Sequence, residues 1–224
     1  MMKRALGLCL ALCMLLAAVS ALADLTVAQE NLVIYDGDDA GYYFAIVRND
    51  GNAPAAMSSG ELVLRGEDGS QLVKEGFVTA SPYAFAMQPG ESVFVSEFLW
   101  DSALQNAAVS SYSLTLKENP YPHDYEMIPS TGFLMLGGNQ DNYVVVSFTN
   151  ITDHTVFDFT VCAAVMDPAG ELLLTASRNY DGLCVNPGST VSVRMDIDYR
   201  LVKYFSDRST KFGVVDSRVY HLSD

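Results

Sequence analysis

The chain has 224 residues, of which 50% are hydrophobic, 11% aromatic and 18% charged. Its 27 acids outnumber 13 cations, giving a net charge of −14 and a surface that repels nucleic acid and anionic lipid while favouring solubility. Glycine, at 16, and proline, at 8, are too few for a disordered or fibrous class.

The N-terminus reads as an export signal. Lys3 and Arg4 precede an apolar run from Ala5 through Val19, and Ala21-Leu22-Ala23 is a small-x-small cleavage pattern. The run is shorter than the roughly 18 to 20 residues that a transmembrane helix needs. Leu8 before Cys9 and Leu12 before Cys13 do not suit lipid attachment, and no later segment is long and apolar enough to span a membrane. A secreted mature chain beginning at Asp24 is therefore expected, with no membrane insertion after cleavage. Loss of Lys3 and Arg4 leaves 11 cations and moves the net charge from −14 to −16.

From Asp24 the pattern is short alternating strands punctuated by turn residues. Strands are predicted near Val27, over Asn31 to Tyr35 and over Tyr42 to Arg48, the last two joined by the turn Asp36-Gly37-Asp38-Asp39-Ala40-Gly41. After Asn49-Asp50-Gly51-Asn52 come Glu61 to Arg65, Gln71 to Val78, Tyr83 to Met87, Ser92 to Phe98 and Tyr112 to Lys117, with a helical turn within Trp100 to Ala107. Asn119-Pro120-Tyr121-Pro122-His123-Asp124 breaks this pattern, because two prolines interrupt strand pairing. Beyond it, Asn142 to Thr149, Phe157 to Val165 and a strand from Leu172 are joined by turns at Asn150 and at Asp167-Pro168-Ala169-Gly170, and they read as a meander. A last strand is expected near Phe212 to Leu222.

The second stretch repeats the first. At an offset of 101, Tyr42 falls on Tyr143, Asn49 on Asn150, Leu64 on Val165, Gly69 on Gly170, Leu72 on Leu173 and Gly37 on Gly138. At an offset of 98, Pro89-Gly90 falls on Pro187-Gly188, Val93 on Val191 and Val95 on Val193. Matched turns bracketing matched strands in the same order indicate an internal duplication. The predicted fold is all-β: after the signal peptide (1–23), two tandem immunoglobulin-like antiparallel β-sandwich domains over 24–119 and 125–224, with 120–124 as linker, in preference to one large sandwich.

An Asn turn, a strand ending in an aliphatic-x-Asp pair, a Gly turn and a later Pro-Gly resemble the FxLYD-type domains of exported bacterial and archaeal proteins. Val165-Met166-Asp167 would stand at that family's Leu-Tyr-Asp, with Asn150, Gly170 and Pro187-Gly188 on its other marks. Ala163 and Met166 depart from its Phe and Tyr, and the first repeat has Leu64-Arg65-Gly66. The resemblance implies an immunoglobulin-like fold and no established chemistry.

Chemistry-bearing residues are sparse. Cys162 and Cys184 could form a disulfide in an exported chain if their strands are neighbours, or remain two free thiols. Alternation places both on the less buried faces of their strands. Asp36, Asp38 and Asp39 could offer oxygens to calcium, but without a recognisable ligand loop a solvated turn is the better reading. His123, His154 and His221 show no metal or catalytic spacing, so no catalytic residue, cofactor or metal site is assigned. Tyr42, Tyr83, Trp100, Tyr121, Tyr125, Tyr180, Tyr199 and Tyr204 lie at strand ends, turns and the linker, where exposed rings could stack on a sugar or anchor a partner. Tyr42, Trp100, Tyr121 and Tyr180 are the binding candidates. Asn150-Ile151-Thr152 is a glycosylation sequon by pattern. Two functions are compatible with this inventory: a non-enzymatic module that binds a protein or envelope component, and a carbohydrate-binding or hydrolase-accessory protein.

Overall fold

The computed structural model describes residues 24–105, 108–137, 142–209 and 214–222, the side chains of 205–209 excepted. The expected leader, Ala107, the Gly138 to Asp141 part of the second repeat's first turn and Phe212 lie outside these residues.

The first half contains β1 (Leu25–Ile34), β2 (Ala40–Asn49), β3 (Met57–Gly66), β4 (Gln71–Val78), β5 (Ala80–Ser81), β6 (Ser92–Trp100), a 3-10 turn (Ser102–Leu104) and β7 (Val109–Glu118). The second contains β8 (Tyr125–Ile128), β9 (Ser130–Leu136), β10 (Asn142–Thr149), β11 (Val156–Met166), β12 (Leu172–Val185), β13 (Thr190–Asp196), α1 (Tyr199–Ser209) and β14 (Val215–Leu222). Four antiparallel sheets result, in the orders β1-β2-β6-β5, β4-β3-β7, β13-β10-β9 and β12-β11-β14-β8. Apart from β5 and β8, the second half repeats the strand order of the first. Rings meet between the paired sheets of each half: Tyr43 and Tyr112 lie 5.9 Å apart, and Phe148 and Phe159 5.3 Å apart.

Several sequence expectations are corrected. The meander is broken, because β10 belongs to one sheet and β11 to the other, so the Asn150 turn is a crossover between sheets. The two strands expected before Gly37 are one strand, β1, with a bulge between Val27 and Gln29. Tyr83 to Met87 is not a strand. Ala84 adopts a φ of 56°, and the segment makes only isolated bridges, Ala55 to Met87 and Phe85 to His123. Helix α1 was not anticipated; Asp198 starts it by accepting the Arg200 N–H at 3.0 Å.

The crossovers are built alike. Asn49 and Asn150 are both fully buried. Asn49 Nδ2 donates to Ala53 O (2.7 Å) and Met87 O (2.9 Å), while Asn150 Nδ2 donates to His154 O (2.9 Å) and Val185 O (2.8 Å). Each Oδ1 accepts the N–H two residues on, from Gly51 and Thr152. Each backbone carbonyl accepts from the glycine of the Pro-Gly turn, Gly90 or Gly188, at 2.8 Å. Two buried donors and an acceptor are thereby satisfied where the chain leaves its sheet. The sequon asparagine is consequently enclosed, with both amide hydrogens used, and closed to modification in the folded chain.

The halves share one core. On β11 every residue from Phe159 to Val165 is buried, as are Leu172 to Thr175 on β12, because the sheet they form is covered on both faces. Asn31 Nδ2 donates to Leu173 O at 2.7 Å, Thr175 Oγ1 donates to Val95 O, and the Arg218 guanidinium lies 4.6 Å from the Phe94 ring centre. The Tyr121 to Asp124 region also packs on the first half, through Ala86 N–H to His123 O at 2.9 Å and His123 N–H to Ala84 O at 2.8 Å.

Replacing Asn49 or Asn150 by Ala would remove one buried hydrogen bond, to Met87 O or Val185 O, and one half-buried one, to Ala53 O or His154 O, and each change is expected to cost about 1–3 kcal/mol in urea unfolding. A loss below about 0.5 kcal/mol for either would show that the crossover does not depend on it. A second test concerns Glu97 on β6, whose carboxyl is pushed up to about 7 by burial and by Glu75. The folded state holds this proton more tightly than the unfolded chain. Its stabilising effect is therefore complete below the ordinary value of 4.5 and is lost as the pH rises toward 7. Glu97→Gln should raise unfolding free energy at pH 8 by about 1–2 kcal/mol, discounted for partial solvent access, and change it little at pH 4. Equal effects at the two pH values would contradict the assignment.

Candidate functional site

The sheet pairing of β2 with β6 sets Phe44 opposite Ser96, Tyr42 opposite Phe98 and Ala40 opposite Trp100. By alternation these residues share the face turned away from the first half's own core. The inner end of that face is closed by β12 and by the segment leading into α1, leaving a cleft of about 460 Å³. Tyr42, Phe44 and Ser96 form one wall, and Thr175, Ser177, Arg178, Asp196 and Asp198 are among the groups opposite. The aromatic row continues outward from it. Tyr42 stacks nearly parallel on Phe44 with centroids 5.5 Å apart and lies 5.0 Å from Phe98. Trp100 stands beyond, 76% exposed, with its indole Nε1–H donating to Asp39 Oδ2 at 2.8 Å.

Charged residues fix the mouth. Tyr35 donates its hydroxyl to Asp198 Oδ2 at 3.1 Å, Arg200 pairs with Asp198 at 2.8 Å and Asp38 at 2.9 Å, and its guanidinium lies 4.3 Å from the Tyr35 ring centre. Burial and the adjacent Asp198 carboxylate raise the Tyr35 hydroxyl well above its ordinary range. At Asp198, burial pushes upward, but hydrogen bonds from Arg200 and Tyr35 outweigh it and hold the carboxyl low. The three acids offered for calcium are engaged elsewhere: Asp36 by Lys203 at 3.3 Å, Asp38 by Arg200 and Asp39 by Trp100. Their loop docks on α1, where Tyr35 also stacks on Tyr204 at 5.9 Å.

Of the four aromatic candidates, the fold brings Tyr42 and Trp100 into one row and leaves out Tyr121 and Tyr180. Tyr121 is exposed in the turn after Asn119. Tyr180 is stacked on Phe159 at 5.2 Å. Phe44 and Phe98, which complete the row, were missed; their alternation with Tyr42 and Trp100 marks a shared face only once β2 and β6 are known to pair.

Cys162 and Cys184 are free thiols. Cys162 lies opposite Ser177 and Cys184 opposite Phe157, so the two are separated along β11 by about 16 Å, well beyond a disulfide's reach. The expected partly exposed position of Cys162 is also corrected. It is fully buried because the first half covers that face, and its Sγ lies 3.5 Å from Ser81 O. Two of the three histidines meet, with the rings of His154 and His221 5.7 Å apart; His123 lies apart, bridged to Phe85.

No protein-family model matches the chain, and no curated protein matches it. Among solved structures, it is similar to the C-terminal globular domain of an oligosaccharyltransferase from Pyrococcus abyssi, at 8% identity and a TM-score of 0.23 over 90% of this chain and 48% of that one. It is also similar to a calcium-binding mutant of beta-glucuronidase 2 from Bacteroides uniformis, at 11% identity and a TM-score of 0.23 over 79% of this chain and 28% of that one. The chain thus spans less than half the length of either protein, and scores of this size establish no shared function.

Burial pushes the Cys162 thiol up to about 12, whereas Cys184 is open to solvent. An aromatic disulfide reagent should therefore label Cys184 rapidly in the native protein and Cys162 only after denaturation. Rapid native labelling that persists in Cys184→Ser would show that the face of β11 is not covered.

Proposed function

We propose that the chain is an exported, non-enzymatic binding module of the cell envelope or extracellular space, formed of two tandem immunoglobulin-like sandwiches. Its ligand is a neutral saccharide chain lying along Trp100, Phe98 and Tyr42 with one end in the cleft. The aromatic row leading into a polar-walled cleft carries this reading. A sugar ring offers an apolar face of C–H groups to an aromatic ring and hydroxyls around its edge. Ser96, Ser177, Asp196 and Arg178 supply matching polar groups at the cleft. The acids there are held by arginines, Asp196 by Arg194 at 2.6 Å and Asp198 by Arg200, which supports binding over general acid–base hydrolysis. The strongly acidic surface disfavours polyanionic ligands. In this reading the leader is removed after Ala23.

Trp100 is the sole tryptophan, so its fluorescence reports directly on the proposed platform. Titration with a panel of soluble neutral polysaccharides and cell-wall fragments should give a saturable change for at least one of them. Calorimetry should show about tenfold weaker binding to Trp100→Ala or Phe98→Ala. Absence of any fluorescence change or calorimetric binding across the panel would overturn the saccharide reading and direct attention to a protein partner.

A further inference from the structure

At the other end of the second half, three potential ligand groups converge that the sequence keeps far apart. Glu126 on β8 and His221 on β14 are cross-strand partners, so the sheet itself sets them side by side. His154 comes from the crossover loop after Asn150, whose position is fixed because its carbonyl accepts from both Asn150 Nδ2 and Thr152 Oγ1 at 2.9 Å. One ligand atom from each of the three residues lies within 4.8 Å of the others. They line a cavity of about 530 Å³.

The hydrogen bonds around the rings decide what the site can hold. His221 is 5% exposed, and its Nδ1 lies 3.1 Å from Leu222 O. A carbonyl can only accept, so Nδ1 is the protonated nitrogen and the neutral ring presents a lone pair at Nε2. That Nε2 is buried, makes no hydrogen bond and stands 3.2 Å from Glu126 Oε2. Two acceptors thus face each other unless a proton or a cation lies between them. His154 repeats the arrangement: its Nδ1 lies 3.2 Å from the Asp153 carboxylate, leaving Nε2 available. Imidazoles whose outer nitrogen is tied to an oxygen acceptor are the usual form of metal-ligating histidine.

We infer that Glu126, His154 and His221 form a binding site for a zinc-class divalent transition-metal ion, with two imidazole nitrogens and one carboxylate oxygen as ligands. The donor set suits such an ion better than calcium or magnesium, which prefer oxygen ligands throughout. His221 is the buried anchor. His154 and Glu126 are exposed, and rotation of their side chains closes the present spacing to the about 3.3 Å between neighbouring ligands of a tetrahedral zinc ion. Three protein ligands would leave a fourth position for water or an incoming donor, and the cavity they line together with Phe157 and Leu222 has room for one. The site shares no lining residue with the interdomain cleft and is independent of saccharide binding.

The test is calorimetric titration of the metal-stripped protein with zinc and with cobalt, in a Cys184→Ser background so that the exposed thiol supplies no ligand. One zinc ion should bind per chain, excess calcium should not displace it, and thermal unfolding should shift upward with zinc. Glu126→Gln and His154→Ala change exposed side chains and should leave the circular dichroism spectrum intact, yet each should weaken zinc binding by at least about tenfold. Absence of zinc binding would overturn the site. Unchanged affinity in either variant would overturn it too, by placing the ion among other surface acids.

Discussion

The fold depends first on a buried side-chain amide at the point where each half passes from one sheet to the other. A chain leaving a strand must satisfy its backbone groups without a neighbouring strand, and water is excluded there. Asn49 and Asn150 solve this in the same way, with one amide tying its own turn to the segment before the Pro-Gly turn. The crossover, the turn that opens β6 or β13, and the spacing of the two sheets are thereby fixed together. Substitution by Asp would keep the acceptor and lose both donors, which explains why the amide and not merely a short polar side chain is required.

The second constraint is the packing of one half on the other. The inner part of the outer face of β2 and β6, around Phe44 and Phe94, and the outer face of β11 and β12 are apolar, and each covers the other. Arg218 carries a charge into this contact, beside the polar groups of Asn31 and Thr175. Burial alone would lower its pKa, but Asp216 at 2.6 Å and Tyr220 hold it well above the ordinary value. Where the two faces diverge they leave the cleft, and the Tyr35–Asp198–Arg200–Asp38 group closes its side. The cleft is therefore a property of the joined halves.

The turns were legible in the sequence because asparagine, glycine and Pro-Gly have few substitutes in those conformations. Gly69 and Gly170, at φ of 77° and 89°, mark equivalent hairpins. Alternation was legible where one face meets water, as on β10, where buried and partly exposed residues alternate throughout. It misplaced Cys162 because a strand covered on both faces carries no such contrast. The meander failed for a related reason: a short turn after a strand looks the same whether the chain returns to its own sheet or crosses to the facing one. The aromatic row and the Glu126–His154–His221 cluster were invisible because their members come together only through strand pairing and the crossover. Tyr42 and Trp100 could be singled out by type, but their common face could not.

Strand order also governs the sequence of events as the chain is made from its N-terminus. β1 to β7 can close as soon as they have emerged, since all their partners lie within the first half. The second half cannot, because β14 occupies an interior place in its sheet, between β11 and β8, and arrives last. Until β11 and β12 have emerged the Phe44 and Phe94 face of the first half has no cover, and until β14 arrives β8 and β11 present unpaired edges. The nascent protein therefore passes through a stage with a finished sandwich bearing a greasy flank. Exposed apolar surface and unpaired strand edges therefore coincide between completion of β7 and delivery of β14.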